Sequence, residues 1–266
     1  MPTTYAHYRF GNDVLPLLPD SVKTEILQNK SLFDIGLHGP DILFYYKALS
    51  HNPVSSHGQQ MHHQSGRTFL EPLQDILTSD TLLPGSLSYL YGFITHFILD
   101  TYCHPYVFEV ESQTSLSHAE IEADFDRLLL SEDNHNPIRH NLTGHLNPTV
   151  QDTKVISQFY PDIISPEVMM ITLTSMKKIL DFLVAPSKGK RFLINQALRI
   201  SGKYDGMHGL VINYEPNPLL ISPCATLREI YHDSLPRCVQ AIQNYHNFML
   251  HQTALSDVFE RTFEKE

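Results

Sequence analysis

Residues 96–122 read HFILDTYCHPYVFEVESQTSLSHAEIE. They contain His96-x3-Asp100, then His104-Pro105, then His118-x3-Glu122. A spacing of four places two side chains on one face of a helix, one turn apart. An imidazole and a carboxylate so placed can grip one divalent ion without any movement of the backbone. Five donors within 27 residues exceed what a single tetrahedral zinc site requires. The pattern points to a multinuclear metal site, and such sites serve phosphate-ester hydrolysis.

Working outward, the run Ser86–Tyr102 is almost continuously apolar and predicts a buried helix. Histidine and aspartate on such a helix need partners to offset the cost of burial. Pro105 is expected to block helical continuation after Tyr102, which would let His104 turn from the His96–Asp100 face towards a different ion. Residues 105–116 then read as a loop. Ser117-x-x-Glu120 has the capping-box form and predicts a helix over about 117–131.

Upstream, residues 1–20 read as a lead-in, with helices over Ser21–Gln28 and Ser31–Leu37. An apolar, aromatic stretch runs from Asp41 to Leu49, residues 50–60 read as a loop, and Arg67–Thr78 as an amphipathic helix. Downstream, a loop over 132–148 precedes helices at about 149–160, 166–185, 189–201 and 224–250. Pro236 is expected to kink or divide the last of these. Residues 203–223 read as a loop or short hairpin. The expected class is all-α: one helical domain over 1–266, with a metal-site half of about 1–131 and a C-terminal helical part of about 149–266.

Composition narrows the function. The 42% hydrophobic content supports a sizeable core, and the net charge of −10 disfavours a general nucleic-acid surface. Three cysteines (Cys103, Cys224, Cys238) form no CxxC and no even disulfide framework, which fits a reducing compartment. No signal peptide and no membrane span are read, so the expected location is cytoplasmic. A phosphate-cradling glycine loop, a nucleophile elbow and His-Glu-x-x-His are all absent.

Further donors lie upstream: His7 in YAHYRFG, Asp41 in GPDILFYY and His62 in QQMHHQSG. Spacing cannot bring these distant segments to the cluster. Taken singly, His7 reads as an ordinary histidine and Asp41 as a helix cap. Of the adjacent His62 and His63, at most one can face a given site on a regular helix. His38, His51, His57, His63, His135, His140 and His145 read as loop or supporting residues, and His208, His232, His246 and His251 as ordinary ones.

The pattern His96-x3-Asp100, His104-Pro105, His118-x3-Glu122 resembles the zinc-dependent phospholipase C family, which shares its helical fold with P1-type nucleases. The resemblance covers about residues 5–130. It implies that His96 and Asp100 bind one zinc, that Asp100 bridges to another, and that His104, His118 and Glu122 hold a separate ion. It also implies that Asp41 is a zinc ligand and the general base, that His62 is the next upstream ligand, and that His7 helps hold a third ion. Secreted members bind zinc through an N-terminal tryptophan. This chain has no tryptophan, so two or three zinc ions are expected rather than a fixed three. The implied substrate is a small phosphodiester or a phospholipid. The alternatives are a P1-type nuclease or nucleotidase and a non-catalytic, metal-stabilised helical protein.

Overall fold

The computed structural model describes residues 4–264, so the reading of the first three residues lies outside them. Among the described residues there is no β-strand, only an isolated antiparallel bridge between Ser65 and Thr262. The first helices are α1 (Thr4–Val14), α2 (Asp20–Gln28) and α3 (Lys30–Gly36), followed by a 3-10 segment, Gly39–Tyr45. Next come α4 (Pro53–His63), α5 (Gly66–Leu70) and α6 (Leu73–Leu77). The long α7 (Ser86–Gln113) and α8 (His118–Glu132) follow. The remainder comprises α9 (Val150–Ser157), α10 (Pro166–Leu183), α11 (Lys188–Ile200), α12 (Tyr204–Met207) and α13 (Ile221–Met249). A last 3-10 turn, Asp257–Glu260, leads into residues 261–264.

Helix α7 is the centre of the molecule. At 1.5 Å per residue its 28 residues span about 42 Å. Tyr89, Leu90, Tyr91, Phe93, Ile94, Phe97 and Ile98 are buried on every side of it, because α3, α13, α1, α8 and α2 all pack against it. The closest crossing is with α3. A Cβ on Gly92 would lie 2.3 Å from the Phe33 carbonyl oxygen, and one on Gly36 would lie 2.2 Å from that of Tyr89. Two glycines thus let the backbones touch and carry the end of α3 to the middle of α7. A second, smaller apolar cluster gathers Leu183, Ala185, Ile194, Leu198 and Val211.

Several local expectations need correction. Helix α7 does not stop at Tyr102 but runs through Pro105 to Gln113. A proline forfeits one bond, here to the Thr101 carbonyl, and crowds it. The burial of Val107 and Val110 in the core outweighs that local cost. Pro236 likewise lies inside the single helix α13. Residues 4–14 form a helix rather than a lead-in; the Asp126 carboxylate caps it by accepting from the Tyr5 and Ala6 amides at 3.0 and 2.8 Å. Residues 53–63 form α4 rather than a loop, with Asn52 accepting from the Ser55 amide at 3.0 Å and Pro53 opening the helix. Arg67–Thr78 is interrupted at Pro72 into α5 and α6. Residues 203–223 hold α12 and two 3-10 turns, with no hairpin. The capping box at α8 is present: Ser117 Oγ accepts from Glu120 N, and Glu120 Oε2 accepts from Ser117 N at 2.9 Å.

Candidate metal centre

Because α7 continues past Pro105, His96, Asp100 and His104 rise along one helix at successive turns, about 6 Å apart. The expected turning away of His104 therefore does not occur. Asp100 occupies the middle and faces both ways. Its Oδ2 lies 3.0 Å from His96 Nε2, while Oδ1 lies 3.1 Å from His7 Nε2 and 3.6 Å from His104 Nε2.

The other elements deliver donors to this row. Helix α1 brings His7, whose ring stacks on that of His96 at 4.1 Å. The 3-10 segment after α3 brings Asp41, buried beside His96. The turn into it requires Gly39: its φ is +46°, and a Cβ there would lie 2.2 Å from His96 Cδ2. Helix α4 brings His62, with Nε2 2.9 Å from Asp41 Oδ1. His63 is turned outward and pairs with Glu264 at 3.1 Å. Helix α8 brings His118 and Glu122: Glu122 Oε1 is 3.1 Å from His118 Nε2 and 3.3 Å from His104 Nε2.

Three groups result, each with donor atoms within 4.8 Å of one another: His7, His96 and Asp100; Asp41, His62 and His96; His104, His118 and Glu122. All eight donors singled out in the sequence fall into these groups. His51, His57 and His63 fall outside them.

The chemistry of the donor set fits divalent cations. His62 Nδ1 donates to the Gly58 carbonyl at 2.7 Å, His96 Nδ1 to Leu37 at 3.2 Å, and His104 Nδ1 to Phe263 at 2.6 Å. A carbonyl only accepts, so each Nδ1 carries a proton and each Nε2 points into the cluster, where a cation would take its lone pair in place of any proton it carries in the metal-free protein. Nε2 of His96 and of His118 are buried and make no hydrogen bond, although carboxylate oxygens lie close by. His7 Nδ1 is also buried without a partner. Such polar groups are costly unless something else binds them.

Electrostatics agree. Burial opposes ionisation of Asp100, but His104, His96 and His7 outweigh it and hold the carboxyl well below the usual range. Burial also disfavours charge on His104, yet Asp100 and Glu122 push its pKa up to about 9. His96 is raised against burial by Asp100, while His7 is lowered by burial and by the facing His96.

Beside this centre, His38 Nε2 lies 2.8 Å from His145 Nε2. Burial drives both imidazoles towards the neutral form. The supporting carbonyls of Leu37, Gly58 and Phe263 were invisible to sequence reasoning, because a backbone acceptor leaves no mark on residue type. A cavity of about 550 Å³ opens elsewhere on the molecule. Leu49, Phe182 and Leu198 line it together with the Lys47 and Lys178 side chains, and Tyr45 forms part of its wall. Tyr45 lies four residues from Asp41 on the same 3-10 segment, and its hydroxyl is buried without a partner.

An all-helical fold whose central helix gathers imidazoles and carboxylates into three adjoining groups defines a class of protein able to bind metal ions within its helical core. A family model described as zinc dependent phospholipase C matches residues 6–170, more than half of the chain, and the protein belongs to that family. Neither curated proteins nor solved structures gave a match. Among the described residues no helix is long and apolar enough to cross a membrane.

Proposed function

We propose that the protein is a zinc-dependent phosphodiesterase of phospholipase C type, holding two or three ions. Asp41, His62, His96 and Asp100 would hold one, and His7 and Asp100 another. His104, His118 and Glu122 would hold a separate ion. The carrying observation is the placement of Asp100, whose two oxygens face different groups of histidines. A carboxylate there can serve two cations at once.

Bound zinc supplies charge neutralisation at the phosphate and a water acidic enough to attack near neutral pH. The chain's residues do the remainder. Asp41 accepts the attacking water's proton, given hydrogen-bond reach. His62, tied to Gly58, keeps Asp41 Oδ1 at a fixed position. The carbonyl-anchored imidazoles hold the centre rigid, so little reorganisation accompanies the reaction.

A phospholipid is favoured as substrate. The apolar cavity offers room for an aliphatic chain, with Lys47 and Lys178 at its rim, and Tyr45 in its wall belongs to the 3-10 segment that carries Asp41. The net charge of −10 works against long polyanions. Three buried, unpaired cysteines support a reducing, cytoplasmic setting.

The test is elemental analysis of the purified protein, followed by assays with and without chelator. Two or three zinc equivalents, and zinc-restorable hydrolysis of a choline phosphodiester, are expected. Preferential cleavage of single-stranded DNA would instead favour a nuclease. Full zinc content without hydrolysis of any phosphodiester would indicate a structural site.

A further inference from the structure

We infer that residues 261–264 form a strap that is a working part of the metal centre, in which the Phe263 carbonyl positions His104 and the Phe263 ring seals the donors from solvent. The inference rests on the reading that the His104, His118 and Glu122 group holds a cation. The strap lies far outside residues 6–170, the part that matches the family. Nothing in the His96–Glu122 pattern requires it.

Its anchoring is specific. Thr101 Oγ1 donates to the Thr262 carbonyl at 3.1 Å, and His104 Nδ1 donates to that of Phe263 at 2.6 Å. Both donors stand on the one turn of α7 from which Pro105 removes a backbone bond. On the opposite side, the Gly66 amide donates to the Arg261 carbonyl at 3.0 Å, and Ser65 pairs with Thr262. Arg67 Nε pairs with Glu260 at 2.5 Å, and His63 with Glu264 at 3.1 Å. The strap thus ties the start of α5 to the weakened turn of α7.

Phe263 is buried, with its ring 5.1 Å from that of His62 and 5.9 Å from that of His96. One residue therefore touches both halves of the centre: its ring packs on the histidines of one group, and its carbonyl orients the imidazole of another. His62 takes its supporting carbonyl from its own helix and His96 from the segment next to Gly39. His104 takes its own from a residue 159 positions further along the chain. Without it, Nδ1 has no fixed acceptor, the neutral tautomer is free to invert, and Nε2 is no longer held towards Glu122 and Asp100.

Two variants test this: one ending after Arg261, and Phe263→Ala, which keeps the carbonyl and removes the ring. Stepwise zinc affinities are measured by competition with a chromophoric chelator, alongside the melting temperature of the metal-free protein. The deletion should weaken one zinc by about 10–100-fold, the scale seen when a partner behind a metal ligand is lost. Phe263→Ala should weaken it less and speed transfer of zinc to the chelator. In a His118→Ala background, which already lacks that site, the deletion should cost the remaining ions no more than Phe263→Ala does, because only the ring reaches their ligands. If the deletion does not fold, Thr101→Val removes one anchor and should weaken the same ion severalfold.

The proposal is overturned if the folded variants bind every zinc within about twofold of the parent, or if the deletion weakens all ions equally with and without His118. A lower metal-free melting temperature with unchanged affinities would also overturn it, since that is a purely structural tail. A parent protein that binds no zinc would instead overturn the proposed function.

Discussion

At the scale of single residues, Asp100 and His104 decide the most. Asn in place of Asp100 preserves shape but leaves one acceptor oxygen and adds two donors, so it cannot face cations on both sides. Asp100→Asn should lose at least one zinc equivalent, or weaken it by about 100-fold or more, with a matching loss of phosphodiester hydrolysis. Elemental analysis after gel filtration reads this directly, and full zinc content in a folded variant would contradict the bridging role. His104 makes a separate prediction for the metal-free protein. Its pKa is raised from 6.5 to about 9 because Asp100 and Glu122 outweigh burial. A raised folded-state pKa stabilises the fold fully below the unfolded value and loses that contribution as pH climbs through the folded one. Melting in chelator should therefore occur at progressively lower temperature between about pH 6.5 and pH 9. His104→Asn should flatten this slope, and an equal slope in that variant would show that other groups produce it.

At the scale of elements, the crossing of α3 and α7 positions the upstream donors. Gly92→Ala puts a methyl 2.3 Å from the Phe33 carbonyl, which is backbone and cannot swing aside. The helices must separate, at a cost of roughly 1–3 kcal/mol, which amounts to a fall in melting temperature on the order of 2–6 °C for a chain of this size. Separation also carries Gly39 and Asp41 away from His96, so zinc content should fall with it. Gly189→Ala, with nothing within 4 Å of the added methyl, should leave both unchanged when the two variants are compared by calorimetry and metal analysis. Sequence reading succeeded where the signal was local. The four-residue spacings placed His96, Asp100, His118 and Glu122 on their helices, and the capping box marked the start of α8. It failed where tertiary packing overrode a local preference. Pro105 reads as a stop, yet core contacts on either side carry α7 through it. Asn52-Pro53 reads as loop chemistry, yet the same pair caps and opens α4, which is how His62 reaches Asp41. His7 carries no local signal and enters the donor set only through the family resemblance; the packing of α1 on α7 is what brings it to Asp100.

At the scale of the whole molecule, the matched family region and the remainder divide the work. Residues 6–170 contain all eight donors of the candidate metal centre found among the described residues. Residues beyond them supply α13 against α7, the strap over His104, and most of the wall of the cavity. On the proposed reading the donor groups act at phosphorus, and the cavity is the feature able to choose among esters by their apolar part. Phe182 lies on that wall and is half exposed, so a polar substitution there need not unfold the protein. Phe182→Glu would place a carboxylate among apolar groups and near the Lys178 amine. If an acyl chain occupies the cavity, this variant loses apolar contact worth roughly 1.5–3 kcal/mol, which corresponds to a rise of about 10–100-fold in KM for a long-chain phospholipid. Hydrolysis of a water-soluble short phosphodiester should be unchanged, as should zinc content, because neither depends on that wall. Assaying both substrates on one preparation separates the cases. An equal loss on the two would mean that the substitution acts through the metal centre, and no loss on either would mean that the cavity takes no part in recognising the substrate.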